Sequence, residues 1–203
     1  MNILFLPGAG GDPTFWRPVA DRLPANWNKT LLGWPGLGNQ PHDPAVNSWD
    51  DLYRSVERRL QRPIAIVAQS MGGMLALRAA VAHPHAVSHL VLTAAAGGID
   101  LAPFGAVDWR PEYRNLYPNA AQWIYERAPA NEAALGGIVA STLLIWAARD
   151  PTSPPAVGRH LAALLPNAQF VELDDDSHVF AKERPDDVGR LIARHLGPVA
   201  DPV

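Results

Sequence analysis

The sequence predicts an α/β fold, a mostly parallel sheet of about six strands with helices on both faces. Three observations predict it. Short apolar runs at 3–6, 64–68, 90–94, 142–147 and 169–173 lack clean alternation, as strands covered on both faces do. Helical patterns at 14–23, 48–60, 71–82, 154–165 and 184–196 fall between or after them. Strand and helix therefore alternate nearly throughout, the rhythm of right-handed parallel crossovers.

A sixth, weaker run spans 29–34. Ser48 opens the second helix with Asp51 three residues on, an imperfect capping box, since glutamate is the usual partner. Between 99 and 135 the rhythm breaks. No strong strand is found there, but Phe104, Trp109, Tyr113, Tyr117, Trp123 and Tyr125 are. A long insertion of this kind is often a lid or binding loop. The plainer alternative is a helical excursion whose aromatics pack on the body, and the two are compatible because a lid needs anchoring.

With 203 residues, the chain is expected to form a single domain over 1–203, with a short helical lid at about 99–135. A fold of this size buries roughly 70% of its unfolded surface and needs no staples. The 20 prolines, set among strong aliphatic runs, punctuate loops. The absence of cysteine excludes disulfides and thiolate metal sites, and suits a reducing cytoplasm. A net charge of -3 with no basic run argues against nucleic acid or anionic membrane as partners. Residues 1–7 are too short for a signal-peptide core, and no apolar run approaches the roughly 20 residues that span a bilayer. The expectation is a cytoplasmic protein acting on a small molecule, its oligomeric state left open.

In parallel sheets ligands bind beyond the carboxyl ends of the strands, so chemistry should follow the apolar runs. After 64–68 comes Gln69-Ser70-Met71-Gly72-Gly73. The pattern G-x-S-x-G at a strand-to-helix turn is the nucleophile elbow, a turn so tight that the serine needs small neighbours. Ala68 stands at the first glycine, the smallest replacement available. A plain helix N-cap would explain Ser70 but not the small residues on both sides. A serine hydroxyl needs a base to take its proton, and the base needs an orienting acid. Asp150 follows the 142–147 run and His178 follows the 169–173 run, in the chain order serine, acid, histidine. Asp100 is the runner-up acid, and Asp174 to Asp176 shape the histidine's loop. The other histidines, including His42, His83, His85, His89, His160 and His195, are expected to be structural.

These segments together resemble the α/β-hydrolase superfamily over essentially the whole chain. LPGAGGDPTFW resembles its oxyanion loop, with Pro7 at the usual histidine. GWPGLGNQ resembles the loop after the next strand, with Gly33 where aspartate is frequent. WAARDPTSP and DDDSHVF resemble its acid and base loops. The chain lacks the two strands with which the family usually begins. The resemblance implies a catalytic triad of Ser70, Asp150 and His178, an oxyanion hole from the N–H groups of Ala9 and Met71, and no metal or organic cofactor.

Phe15, Trp16, Trp34, Phe104, Trp109 and Val179 are the candidate substrate contacts, suggesting a mainly apolar pocket. The expected substrate is a small or medium, mainly uncharged carboxylic ester. The same triad serves amidases, thioesterases, carbon–carbon hydrolases, lyases and cofactor-free haloperoxidases, because function is grafted onto the scaffold. A non-catalytic ligand binder is the third possibility, disfavoured by the complete set of three chemical types.

Overall fold

The computed structural model describes residues 1–60, 63–126, 128 and 132–197; residues 127 and 129–131 of the expected lid lie outside this set. In chain order the main elements are β1 (Asn2–Leu6), α1 (Arg17–Ala20), β2 (Asn28–Leu31), α2 (Trp49–Glu57), β3 (Ile64–Gln69), α3 (Met71–Ala82) and β4 (Val87–Thr93). After an insertion containing α4 (Arg110–Leu116) come β5 (Ser141–Ala147), α5 (Pro155–Leu164), β6 (Ala168–Leu173), α6 (Phe180–Glu183) and α7 (Pro185–Leu196).

The six strands form one sheet in the order β2-β1-β3-β4-β5-β6, every pair parallel. Alternate side chains supply two cores. Leu4, Leu6, Ile66, Leu92, Leu144 and Trp146 pack with buried residues of α2, α3 and α5. Ile3, Phe5, Val67, Val91 and Ile145 pack on the other face with Val19, Phe180 and Ile192. The uninterrupted apolar runs therefore had two faces to fill. The chain leaves β1 for β2 on one side and returns for β3 on the other, so a ligand crevice is expected between the ends of β1 and β3.

The boundaries differ from the sequence pattern for identifiable reasons. The first helix shrinks from 14–23 to Arg17–Ala20, because Asp12 Oδ1 accepts from both the N–H and the hydroxyl of Thr14 and fixes a turn there. β2 stops at Leu31, and Trp34 N donates instead to Gly11 O. α2 is capped by Ser48, whose hydroxyl accepts from Asp51 N at 3.1 Å. The 184–196 pattern holds as α7, preceded by the single turn of α6, since the residue before Pro185 is pushed out of helical backbone. The insertion holds α4 and short 3-10 turns at Ala102–Phe104, Gln122–Tyr125 and Glu132–Gly137.

Candidate active site

Ser70 leaves β3 directly and caps α3 with φ 50° and ψ -120°. A non-glycine residue held there costs of order 1–3 kcal/mol, so the surroundings must enforce it. They do. Ser70 N donates to Thr93 O at 3.0 Å, and Ser70 O accepts from Gly73 N and Ala96 N. A Cβ on Gly72 would meet Pro7 O at 2.5 Å, and one on Gly73 would meet Ala95 Cβ at 2.4 Å. Ala68 lies in the ladder between Leu6 and Leu92, fully buried, where one methyl fits.

Three loops, distant in the chain, converge on this hydroxyl. His178 Nε2 stands 2.9 Å from Ser70 Oγ, and His178 Nδ1 stands 2.7 Å from Asp150 Oδ2. The Asp150 carboxylate is wholly enclosed, and its Oδ1 accepts from Thr152 N at 2.8 Å and Ser153 N at 3.1 Å. A buried charge needs such donors to be tolerated. With Nδ1 facing a carboxylate, the imidazole proton belongs on Nδ1 and Nε2 is free to accept from the serine. Asp100 takes no part; its carboxylate accepts from Ala102 N in its own turn.

The histidine loop is shaped by its aspartates. Asp175 Oδ1 accepts from Asp176 N and Ser177 N, and Arg184 donates to Asp175 Oδ2 and to Asp174 O. Hydrogen bonding and charge from Arg149 hold the Asp174 carboxyl below the usual carboxylate range. Gln69 Nε2 donates to His178 O at 3.2 Å, tying the residue before Ser70 to this loop.

The glycine-rich loop expected to carry the Ala9 donor follows β1. Gly11 N donates to Gly8 O, and Gly11, at φ +67°, leaves no room for a Cβ, which would meet Leu37 O at 2.7 Å. Among the described residues, the backbone N–H groups of Ala9 and Met71 donate to no protein acceptor. Met71 opens α3, where unpaired N–H groups and partial positive charge collect. Gly33 faces Gly11 O and Pro13, each 3.0 Å from a Cβ placed there, so the aspartate common at this position would be crowded out.

A strained serine at a strand-to-helix turn thus stands beside a histidine and a buried aspartate from beyond later strand ends. The model of the alpha/beta hydrolase family matches residues 3–191. The chain belongs to that family. Among known relatives, a pimeloyl-[acyl-carrier protein] methyl ester esterase from Aromatoleum aromaticum is 28% identical, covering 94% of this chain and 96% of its own. A 2-hydroxy-6-oxononadienedioate/2-hydroxy-6-oxononatrienedioate hydrolase from Cupriavidus pinatubonensis is 27% identical over 94% of this chain and 83% of its own. In fold, the chain is similar to a thermophilic esterase from Thermogutta terrifontis, with TM-score 0.75, 21% identity and coverage of 97% and 89% of the two chains.

Several of the expected substrate contacts of this alpha/beta hydrolase have partners within the protein. Phe15 and Trp16 pack against each other with ring centroids 5.2 Å apart, in the core beneath the other face of the sheet. Trp16 Nε1 donates to Leu6 O, and Trp34, fully buried, donates to Pro7 O at 2.8 Å. Both indoles thus clamp the end of β1 and are sealed from solvent. Phe104 lies against His160 of α5 at 5.1 Å, and Trp109 edges onto Tyr113 at 5.3 Å. Val179, next to His178, is exposed.

Four of the six remaining histidines are engaged elsewhere: His42 with Asn119 O, His83 with Glu57, His160 with Glu132 and His195 with Ser141 O. No group of three or more metal-ligating side chains occurs among the described residues. Nor is any described helix long and apolar enough to cross a membrane. Two residues escaped prediction in the roles they take here, Gln69 and Tyr113. Gln69 flanks the elbow, so its place at the strand end was readable. Its carbonyl partner on a loop 109 residues away was not.

Proposed function

We propose that this alpha/beta hydrolase is a carboxylesterase that cleaves a small or medium, mainly uncharged ester through an acyl-enzyme. One observation carries the reading: the continuous chain of contacts from Ser70 Oγ to His178 Nε2, and from Nδ1 to Asp150, at 2.9 and 2.7 Å. His178 removes the hydroxyl proton as Ser70 Oγ attacks the acyl carbon, and the carbonyl electrons move onto oxygen. Ala9 and Met71 N–H groups receive that oxyanion; one such donor is typically worth about 100- to 1000-fold in rate. Asp150 holds the tautomer and stabilises the imidazolium. The intermediate collapses, and the leaving alkoxide takes the proton from His178. Water, deprotonated by His178, then releases the acid and restores Ser70. The insertion over 99–135 acts as the lid, with Val179 and Trp109 at the substrate side.

The esterase name of the Aromatoleum relative supports this reading. The Cupriavidus hydrolase supports a second one, in which the same residues cleave a carbon–carbon bond next to a carbonyl. A panel of p-nitrophenyl esters of increasing acyl length, together with fluorophosphonate labelling of the protein and of Ser70→Ala, tests the proposal. Ester turnover with labelling confined to the native serine is the expected result. Labelling without turnover of any ester would favour the second reading, and no labelling would leave a ligand binder.

A further inference from the structure

The loop carrying Ala9 reads Gly8-Ala9-Gly10-Gly11, which has little conformational preference of its own. A donor that stabilises a transition state must nevertheless be held in place beforehand. The ends of the loop are held from within the body: Gly11 N donates to Gly8 O, and Trp34 N donates to Gly11 O. Its middle is held from the lid. Tyr113 of α4, 7% exposed, places its hydroxyl 2.8 Å from Ala9 O and 2.8 Å from Gly38 N.

The direction of these bonds is fixed. Gly38 N–H can only donate, so the single hydroxyl proton of Tyr113 goes to the Ala9 carbonyl. Burial pushes the phenol up to about 12, so the proton stays throughout the working range. Gly38 is itself pressed on the oxyanion loop: at φ +57°, a Cβ there would stand 2.0 Å from Gly10 O. Other contacts tie the insertion to the body, such as Ala121 N to Gly36 O, Val107 N to Pro151 O and His42 to Asn119 O. None of those three reaches residues 8–11. For packing alone, phenylalanine would serve at 113; the hydroxyl answers the buried Gly38 N–H and the half-buried Ala9 carbonyl.

Resting on the esterase reading above, we propose that Tyr113 is a positioning residue: its hydroxyl pins the Ala9 backbone so that the adjoining N–H faces the substrate oxygen, and thereby couples the oxyanion hole to the seating of α4. Tyr113→Phe should lower kcat for p-nitrophenyl acetate by about 10- to 100-fold, short of losing a donor outright, with KM changed less than about threefold. The rate of fluorophosphonate capture should fall by a similar factor, because its phosphoryl oxygen uses the same donors. Tyr125→Phe, in the same aromatic cluster, should leave both rates unchanged. A fluorinated tyrosine at 113 keeps the ring and both hydrogen bonds but acidifies the phenol. With three ring fluorines, enough to bring the ionisation into the assay range, its activity should match the native protein near neutrality and fade at a lower alkaline pH, even should Tyr113→Phe fail to fold. Native kcat in a folded Tyr113→Phe, or a loss equalled by Tyr125→Phe, would overturn the proposal. So would a fluorinated variant with the native alkaline profile. A native protein that neither turns over esters nor takes the label would overturn the esterase reading and this one together; a labelled native protein with Tyr113→Phe captured equally fast overturns only this one.

Discussion

The loops at the carboxyl ends of β3, β5 and β6 and the insertion between β4 and β5 are built on different terms. In the loops each polar group has an assigned partner: Asp150 is enclosed and triply bonded, and Ser70 is held in a strained conformation by three backbone bonds. The insertion is made of short turns and one two-turn helix, exposes Val107 and Leu116, and meets the body by burying Tyr113, Trp123, Ile124 and Leu135 in its core and through single bonds such as Ala121 N to Gly36 O. A rigid sheet end can store strain and fix a reacting geometry, whereas short turns laid on the body from outside the sheet are suited to shaping access. Tyr113 is where the two meet.

Substitutions can test how sharp that division is. The largest effect is expected for Ser70→Ala, which should reduce ester turnover by about 10⁴- to 10⁶-fold in steady-state assays while the protein stays folded. Next comes Asp150→Asn, which keeps the backbone donors near its oxygen but no longer enforces the tautomer; kcat should drop by about 10³- to 10⁴-fold. Gly38→Ala drives a methyl into Gly10 O at a positive φ. Chemical denaturation should show a loss of about 2 kcal/mol or more, accompanied by slower turnover. In the insertion, Trp109→Ala should alter kcat for the acetyl ester by less than about fivefold and shift the preferred acyl length in the ester panel. A change in the insertion that matched Ser70→Ala in a folded protein would erase the division.

The smallest effect lies at the opposite end of the sheet. Partial burial lowers the pKa of both His89 and His195, whose rings meet at 5.6 Å. A histidine with a depressed folded pKa binds its proton more readily when unfolded, so the folded state loses stability as pH falls below about 6.5. Thermal unfolding followed from pH 7 to 5 should show this decline, and a His89→Asn, His195→Gln double variant should flatten it with ester kinetics unchanged.

Most of the fold and the meeting of Ser70, His178 and Asp150 could be read in advance because both rest on local signals. Apolar runs long enough to fill two faces marked β1, β3, β4, β5 and β6, and Ser70, Asp150 and His178 each sit in the loop that follows one of them. The aromatics were less legible. Trp16 and Trp34 stand next to the glycine-rich loops in the chain and look like pocket walls, but their indole N–H groups are spent on Leu6 and Pro7 carbonyls inside the core. Side-chain size and apolarity are the same for a pocket wall and a core residue, and only the neighbours distinguish them.

The order of the strands' apolar runs and the residue types at their ends were determined by the sequence alone, since burial of both sheet faces and the tightness of the elbow restrict which residues can stand there. Tertiary structure decided which carboxylate faces His178, which tryptophans are sealed away, and that a tyrosine of the insertion reaches Ala9 and Gly38 across 104 and 75 residues of chain. Those contacts join segments with no local relation, and their geometry exists only once the sheet has brought the loops together.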